Sequence, residues 1–545
     1  MKAEPSWSSP IEGALWSRTI GLGEWLIGPV TPLFATTLLP ALVDGREQGG
    51  WRRWSWGRRK PVYCVLNGYY YWRQQLALDW TLSYKWLRML ADFLGRFERL
   101  WRQDLLPTYL SRVEALHRVS VEEASDGELL AALNKLSQYV GEYWFSLSLL
   151  GGTAERQIVQ TLERIRGWTP SLWEGFELLD LFRGFKSRPL ENQQRLYDLS
   201  RLAVGSAELR ELLSHPPGEV LPALQRKEAG RRFAQELEAC IREFGHQVFN
   251  LDFYFPTLGE QPERLIAMVK RLADSDAQDP EIVREQQEKA REEAESLLRH
   301  RIGRRIWLRP VMAIVKTGQD VARVREDAVF YLQISWPLMR ELISELSSRL
   351  VSQGKLRRSE LIFFLEKGEV KRLIEGGAGD MTEKAEARER AWRQQHRLQA
   401  PAAIPPLSDP AWKDWRSLEP SNRVLHQLAI SQRESPRVVA GLPASPGKVS
   451  GRAVILRSEE EFDRLERGDI LVAVTTNPAW TPLFSLAAAV VTEVGGPLAH
   501  ASIVAREFGI PAVVATQNAT SAINDGDVIT VDGSAGLVYL HSSAD

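Results

Sequence analysis

The feature that most constrains the fold is a change in hydrophobic period along the chain. Over the first ~375 residues apolar side chains recur at three- and four-residue spacings, as in Trp80–Val113, Glu122–Leu149 and Asp320–Leu350, which predicts amphipathic helices. Glu281–Arg305 is highly charged and reads as an exposed helix. Ser214-His215-Pro216-Pro217-Gly218 is a turn between helices. From Gly441 the texture changes. Short apolar, β-branched runs at Val449–Leu456, Ile470–Thr475, Ala487–Thr492, Pro511–Ala515, Val528–Val531 and Leu537–Leu540 predict strands. A helix over Ala501–Phe508, closed by Gly509, lies among them. Strand-helix-strand order over ~100 residues makes a compact α/β domain. Residues 376–440 contain a glycine cluster, a charged helical piece at Glu383–Leu398 and a proline-rich stretch at Ala400–Pro410, and read as a connector. The expected organisation is therefore multidomain, α and α/β: a large, mostly helical domain over 1–375, a linker over 376–440 and a compact domain over 441–545.

Composition excludes several classes. Lys+Arg 69 against Asp+Glu 70 gives no bulk charge to attract nucleic acid or membrane. The chain has 545 residues and two cysteines, Cys64 and Cys240, too few for a disulfide framework or a zinc cluster. Two cysteines suit a reducing cytoplasm. No apolar run of about 18 residues predicts a membrane span, and no metal-ligand cluster stands out. The 19 tryptophans suggest large aromatic-lined surfaces. Trp51–Lys60 alternates cations and aromatics and reads as a surface loop or docking face rather than a base-stacking or lipid-binding patch.

The chemistry concentrates in Thr492–Pro511. A buried strand ends at Gly495-Gly496, and a helix opens at His500. Helix N-termini present unpaired N–H groups and partial positive charge, which suit the oxygens of a phosphoryl group. Gly495 and Gly496 let backbone approach phosphate without a Cβ. Arg506, about two turns on, could bring a guanidinium to it. A neutral imidazole near pH 7 is a good nucleophile and phosphoryl carrier. The alternative for an isolated histidine is a core residue; the long pattern around His500 favours the carrier.

This segment resembles the phosphohistidine swivelling domain of phosphoenolpyruvate synthase, pyruvate phosphate dikinase and rifampicin phosphotransferase. The similarity runs from about Gly441 to Leu540 and includes Gly441–Gly447 and Asp525-Gly526-Asp527. Thr475-Thr476-Asn477-Pro478-Ala479-Trp480-Thr481-Pro482-Leu483-Phe484 is particularly similar to the rifampicin phosphotransferase branch. Leu498 and Ala499 stand where dikinases have hydroxyl residues, so the regulatory phosphorylation is lost and the helix start lacks a side-chain cap. The helical region resembles the substrate-binding domain of that branch at Trp16-Ser17-Arg18, Gly28–Leu33, Phe244-Gly245-His246-Gln247, Arg325-Glu326 and Gly354–Leu365. Gln247 replaces an arginine and Val329 a lysine.

The resemblance implies that ATP phosphorylates His500. The swivelling domain then carries the phosphoryl group to a small, apolar acceptor, with AMP and phosphate as by-products. Arg325 would join Gly495, Gly496 and Arg506 in binding phosphate. His246, Glu326 and Arg323 are possible acceptor-site residues: His246 a base or a core histidine, Glu326 a partner of Arg325 or of Mg²⁺. Arg323 and Arg325 point about 200° apart on a helix, so one of the two faces the site. No nucleotide loop is visible, and the chain starts directly in the helical region. ATP and Mg²⁺ are therefore expected on a separate ATP-grasp protein. The competing expectations are a non-catalytic binding or regulatory protein and a pure phosphocarrier.

Overall fold

A computed structural model describes residues 7–12, 14–18, 21–45, 63–73, 97–147, 154–215, 217–275, 277–303, 305, 308–405, 437–496 and 499–541. The Trp51–Lys60 cluster and the Pro406–Pro410 end of the proline-rich stretch lie outside them.

The N-terminal region is a pack of helices. Asp126–Leu147 buries Leu129, Leu133, Leu136 and Val140 against the Pro32–Asp44 helix. These residues recur at three- and four-residue intervals, one stripe of a 3.6-residue period. The amphipathic stretch expected over 320–350 is two helices, Arg309–Leu332 and Trp336–Ser352, joined by a 3-10 turn. Pro337 explains the break: it lacks an N–H, so it suits the first turn of a new helix and not the interior of an old one. The charged stretch over 281–305 forms Pro280–Ile302, capped by the Asp279 side chain on Glu281 N.

Among the described residues before the C-terminal domain, four strands are an addition to the sequence reading. β1 (Trp16–Ser17), β2 (Tyr63–Leu66), β3 (Tyr69–Arg73) and β4 (Ala403–Ile404) form a sheet in the order β2-β3-β1-β4. The β2–β3 hairpin turns at Asn67-Gly68, both at positive φ. Tyr69, Tyr70 and Tyr71 lie in β3 and are buried. β4 and the helix Thr382–Gln395 belong to the segment expected as connector, and both are packed. Ala385 and Trp392 are buried in the helical core, and Trp392 Nε1 donates to the Pro29 carbonyl at 2.8 Å.

The C-terminal region is an eight-stranded mixed sheet. Its strands are β5 (Val438–Ala440), β6 (Leu442–Ser445), β7 (Lys448–Leu456), β8 (Ile470–Ala473), β9 (Ala489–Thr492), β10 (Ala512–Val514), β11 (Val528–Asp532) and β12 (Leu537–Leu540), in the order β5-β12-β11-β7-β8-β9-β10-β6. β7, β8, β9 and β10 run parallel. Continuous apolar runs such as Ile470–Ala473, buried at every position, are what a parallel strand covered on both faces requires. The fold class expected from the sequence is thus the observed one. Among the described residues no helix is long and apolar enough to cross a membrane.

Candidate active site: a histidine docked on a carboxylate

β9 leads through Gly495-Gly496 to the helix His500–Phe508, whose first residue is the histidine. Gly495 has φ +126, a conformation side chains disfavour, and a Cβ there would lie 3.1 Å from Ala499 Cβ. Gly496 has open space around it, so the turn geometry demands glycine at the first position only. The N-cap is Ala499, without a side-chain cap. The start is held instead by Ala499 N donating to the Gly496 carbonyl at 2.9 Å and Ser502 Oγ donating to the same oxygen at 2.6 Å. Gly509, left-handed, ends the helix.

The C-terminal sheet domain is seated on the helical region. One apolar cluster runs through both, from Leu196, Phe233 and Phe330 to Trp480, Leu483 and Phe484. Phe249 meets Phe462 edge-on at 5.4 Å, and Phe462 meets Trp480 at 4.7 Å. Such pairs each contribute about 0.5–1.5 kcal/mol beyond area burial. Asn477 Nδ2 donates to the Phe249 carbonyl, Arg271 to that of Leu465, and Arg264 pairs with Glu459. Thr475–Phe484, singled out on resemblance, is thus the buried docking face.

Docking places His500 against Glu326 of the Arg309–Leu332 helix. His500 Nδ1 donates to Glu326 Oε2 at 2.9 Å, and both residues are buried. Burial pushes the Glu326 carboxyl up, but its electrostatic and hydrogen-bonding interaction with the His500 ring, together with the charges of Arg325 and Arg506, outweighs it and its pKa lies below the usual value. An ionised carboxylate on Nδ1 fixes the tautomer with the lone pair on Nε2. Nε2 is buried and has no hydrogen-bond partner among the described residues. Phe484 meets the imidazole edge-on at 5.9 Å. A small void beside Glu326 is lined by Phe185, Pro189, Leu190, Ala322 and Ile503. A groove of 290 Å³ opens along the same interface, between Met268 and Leu272 on one side and Phe462 and Leu483 on the other.

The remaining sequence candidates divide. Arg325 and Arg506 carry their charge to Glu326. One arm of Arg506 serves its own domain, Nη1 donating to the Ala444 carbonyl at 2.7 Å. Arg323 points elsewhere, over the Phe185 ring at 5.1 Å and toward Asp320 at 3.4 Å. His246 packs against the same helix one turn beyond Glu326, with Nε2 3.1 Å from the Phe330 carbonyl. Burial lowers its pKa to about 4, which makes it a weak base. Gln247, in place of an arginine, accepts from Asn192 at 2.9 Å. Glu326 is occupied by His500, and among the described residues no three His, Cys, Asp or Glu side chains converge as a metal site. Glu326 is thus placed as the partner of the histidine rather than as one of a cluster of cation ligands. Sequence reasoning missed Glu507, whose carboxylate accepts from the amides of Gly184 at 2.8 Å and Phe185 at 3.3 Å. Its seven-residue spacing from His500, two helical turns, was the available signal.

A histidine opening a helix beside a mixed sheet, with its ring bonded to a carboxylate of the helical region, joins the two domains at the candidate site. Comparison with known proteins specifies both modules. Residues 465–536 match the mobile domain of PEP-utilising enzymes and residues 151–326 the fourth domain of rifampicin phosphotransferase. The chain is 26% identical to an uncharacterised phosphotransferase of Bacillus subtilis over 94% of its own length and 61% of the relative's. It is 30% identical to a prodigiosin-synthesising transferase of Serratia marcescens over 60% of the chain and 36% of the relative. Over 19% of the chain it is 53% identical to the phosphoenolpyruvate synthase of Aeropyrum pernix, covering 13% of that protein. The chain therefore spans less than two thirds of the length of each of these relatives.

Proposed function

We propose that the chain is a phosphotransferase component in which His500 Nε2 carries a phosphoryl group to a small acceptor. The observation that carries this reading is the Glu326–His500 pair: a buried carboxylate on Nδ1 and, at a helix N-terminus, an Nε2 without a hydrogen-bond partner among the described residues. Phosphorylated on Nε2 and protonated on Nδ1, the ring is an imidazolium. Attack by an acceptor hydroxyl or carboxylate oxygen forms the O–P bond. The P–Nε2 bond breaks, its electron pair returns to Nε2, and neutral imidazole remains with Nδ1–H on Glu326. Glu326 thus holds the proton that makes imidazole a good leaving group. A hydroxyl acceptor also loses its proton, which the freed Nε2 lone pair can take up and pass to solvent, and Arg325 and Arg506 would offset phosphate charge.

The phosphoryl donor in this proposal is ATP, converted to AMP and phosphate on an ATP-grasp module acting as a separate protein, with Mg²⁺ bound there to offset the nucleotide's charge. The acceptor in this proposal is small and apolar, a reading that rests on the aromatic-rich helical region; the interface groove itself mixes apolar side chains with Arg264, Arg271, Glu459, Glu460 and Asp463. The test mixes the chain with an ATP-grasp protein and ATP and maps phosphate by mass spectrometry at neutral to alkaline pH. The expected label is on the His500 peptide and vanishes in His500→Ala. An active charging protein that leaves His500 unlabelled defeats the reading, and labelling by ATP with no second protein defeats the separate donor.

A further inference from the structure

His500 and Glu507 are seven residues apart on one helix, so they share a face about 10 Å apart along the axis. Each ends on the helical region: His500 on Glu326, Glu507 on two consecutive backbone amides. Ile503 and Val504, at the intermediate positions of the same face, are buried between them.

The turn that receives Glu507 is built for it. Arg291 donates from Nη1 to the carbonyls of Arg183 at 2.8 Å and Gly184 at 3.0 Å, and its guanidinium lies 4.4 Å from the Phe185 ring centre. The Arg183–Phe185 backbone is thereby fixed with its N–H groups toward the carrier. Gly184 has φ +73, and a Cβ there would fall 2.3 Å from Glu288 N. No other residue type fits. A buried carboxylate without such donors would carry a large desolvation cost, so this contact is specific to the docked arrangement.

We infer that Glu507 is a positioning residue, a carboxylate latch that seats the His500 helix on the Glu326 platform. This inference rests on the carrier reading for its purpose but not for its test. Two anchors at the two ends of one rigid helix fix its rotation and its slide. The apolar interface alone, being non-directional, does not set these. The latch acts only at the platform, so charging of His500 elsewhere does not use it.

The test uses the full chain and Glu507→Ala, with Glu507→Gln as the conservative variant that keeps one acceptor oxygen. Amide hydrogen exchange is read at 477–484, the docking face remote from the latch, and at β7 and β11 inside the carrier sheet. The expected result is at least tenfold faster exchange at 477–484 in Glu507→Ala, an intermediate effect in Glu507→Gln and no change in β7 and β11. Potassium phosphoramidate, which transfers phosphate to Nε2 and releases ammonia, should label His500 at least tenfold faster in Glu507→Ala, because the docked ring is shielded. Faster exchange confined to 184–185, or spread equally through β7 and β11, overturns the latch. Failure of phosphoramidate to label His500 in any form counts against the carrier reading and leaves the exchange result to decide the latch.

Discussion

Replacing Glu326 by Gln tests the proposed chemistry at its centre. The contact to His500 Nδ1 is 2.9 Å, with side-chain exposures of 5% and 6% at its two ends, so solvent screening is slight. A hydrogen bond to a charged group in such a setting is worth about 1.5–3 kcal/mol, or about 10- to 150-fold in rate. With phosphorus on Nε2, the amide can also donate to Nδ1 and leave it unprotonated, so the leaving group becomes imidazolide rather than neutral imidazole, which adds to the loss. The assay follows phosphate loss to water from protein charged with phosphoramidate, by phosphorus NMR at pH 8. Glu326→Gln should retain phosphohistidine at least tenfold longer than wild type, because Nδ1 is no longer held protonated. Charging by an ATP-grasp protein should be unchanged within about twofold. Equal phosphohistidine lifetimes would refute the role given to the carboxylate.

Gly495→Ala forces a side chain into φ +126 and against Ala499; a cost of about 1–3 kcal/mol and a large loss of His500 labelling are expected, measured by denaturation and mass spectrometry. Asp252→Ala removes the acceptor of Thr31 N at 2.6 Å and Thr31 Oγ1 at 2.9 Å, and urea denaturation should show a loss of about 2–4 kcal/mol in the helical region. Burial raises the Glu507 carboxyl to about 7 from an ordinary value of 4.5, against the lowering influence of its two amide donors, Arg506 and Arg291. A pKa raised by docking stabilises the docked state below 4.5 and loses that contribution as pH rises through about 7. Docking should therefore be about tenfold tighter at pH 6 than at pH 8. Glu326 lies lowered and is ionised throughout that window. Exchange at 477–484 measured at both pH values, corrected for intrinsic rates, checks this, and Glu507→Ala should remove the Glu507 part of the difference.

The C-terminal α/β domain was legible in the sequence because its signals are local. Buried parallel strands show as continuous apolar runs, and a strand, a glycine turn and a helix start within twenty residues present His500 at a helix N-terminus. Helices of the N-terminal region were legible for the same reason. The small sheet was not: β1 and β4 are two residues each and pair across nearly 390 positions, too short to show a period. Strands β5 and β6 escaped similarly, being short segments beside a glycine. Arg323 and Arg325 could be separated by helical phase, although what each meets could not.

By itself, the sequence determined that a histidine opens a helix after a glycine turn, and in which class of domain. Only the tertiary structure decided what that histidine can do. Glu326 lies 174 residues from His500, and its carboxylate selects Nε2 by occupying Nδ1. Gly184 and Phe185, more than 320 residues away, give Glu507 a purpose that its position in the motif does not reveal. Periodicity and turn chemistry are short-range, whereas the tautomer of a histidine depends on whichever group packing brings within three ångströms of it.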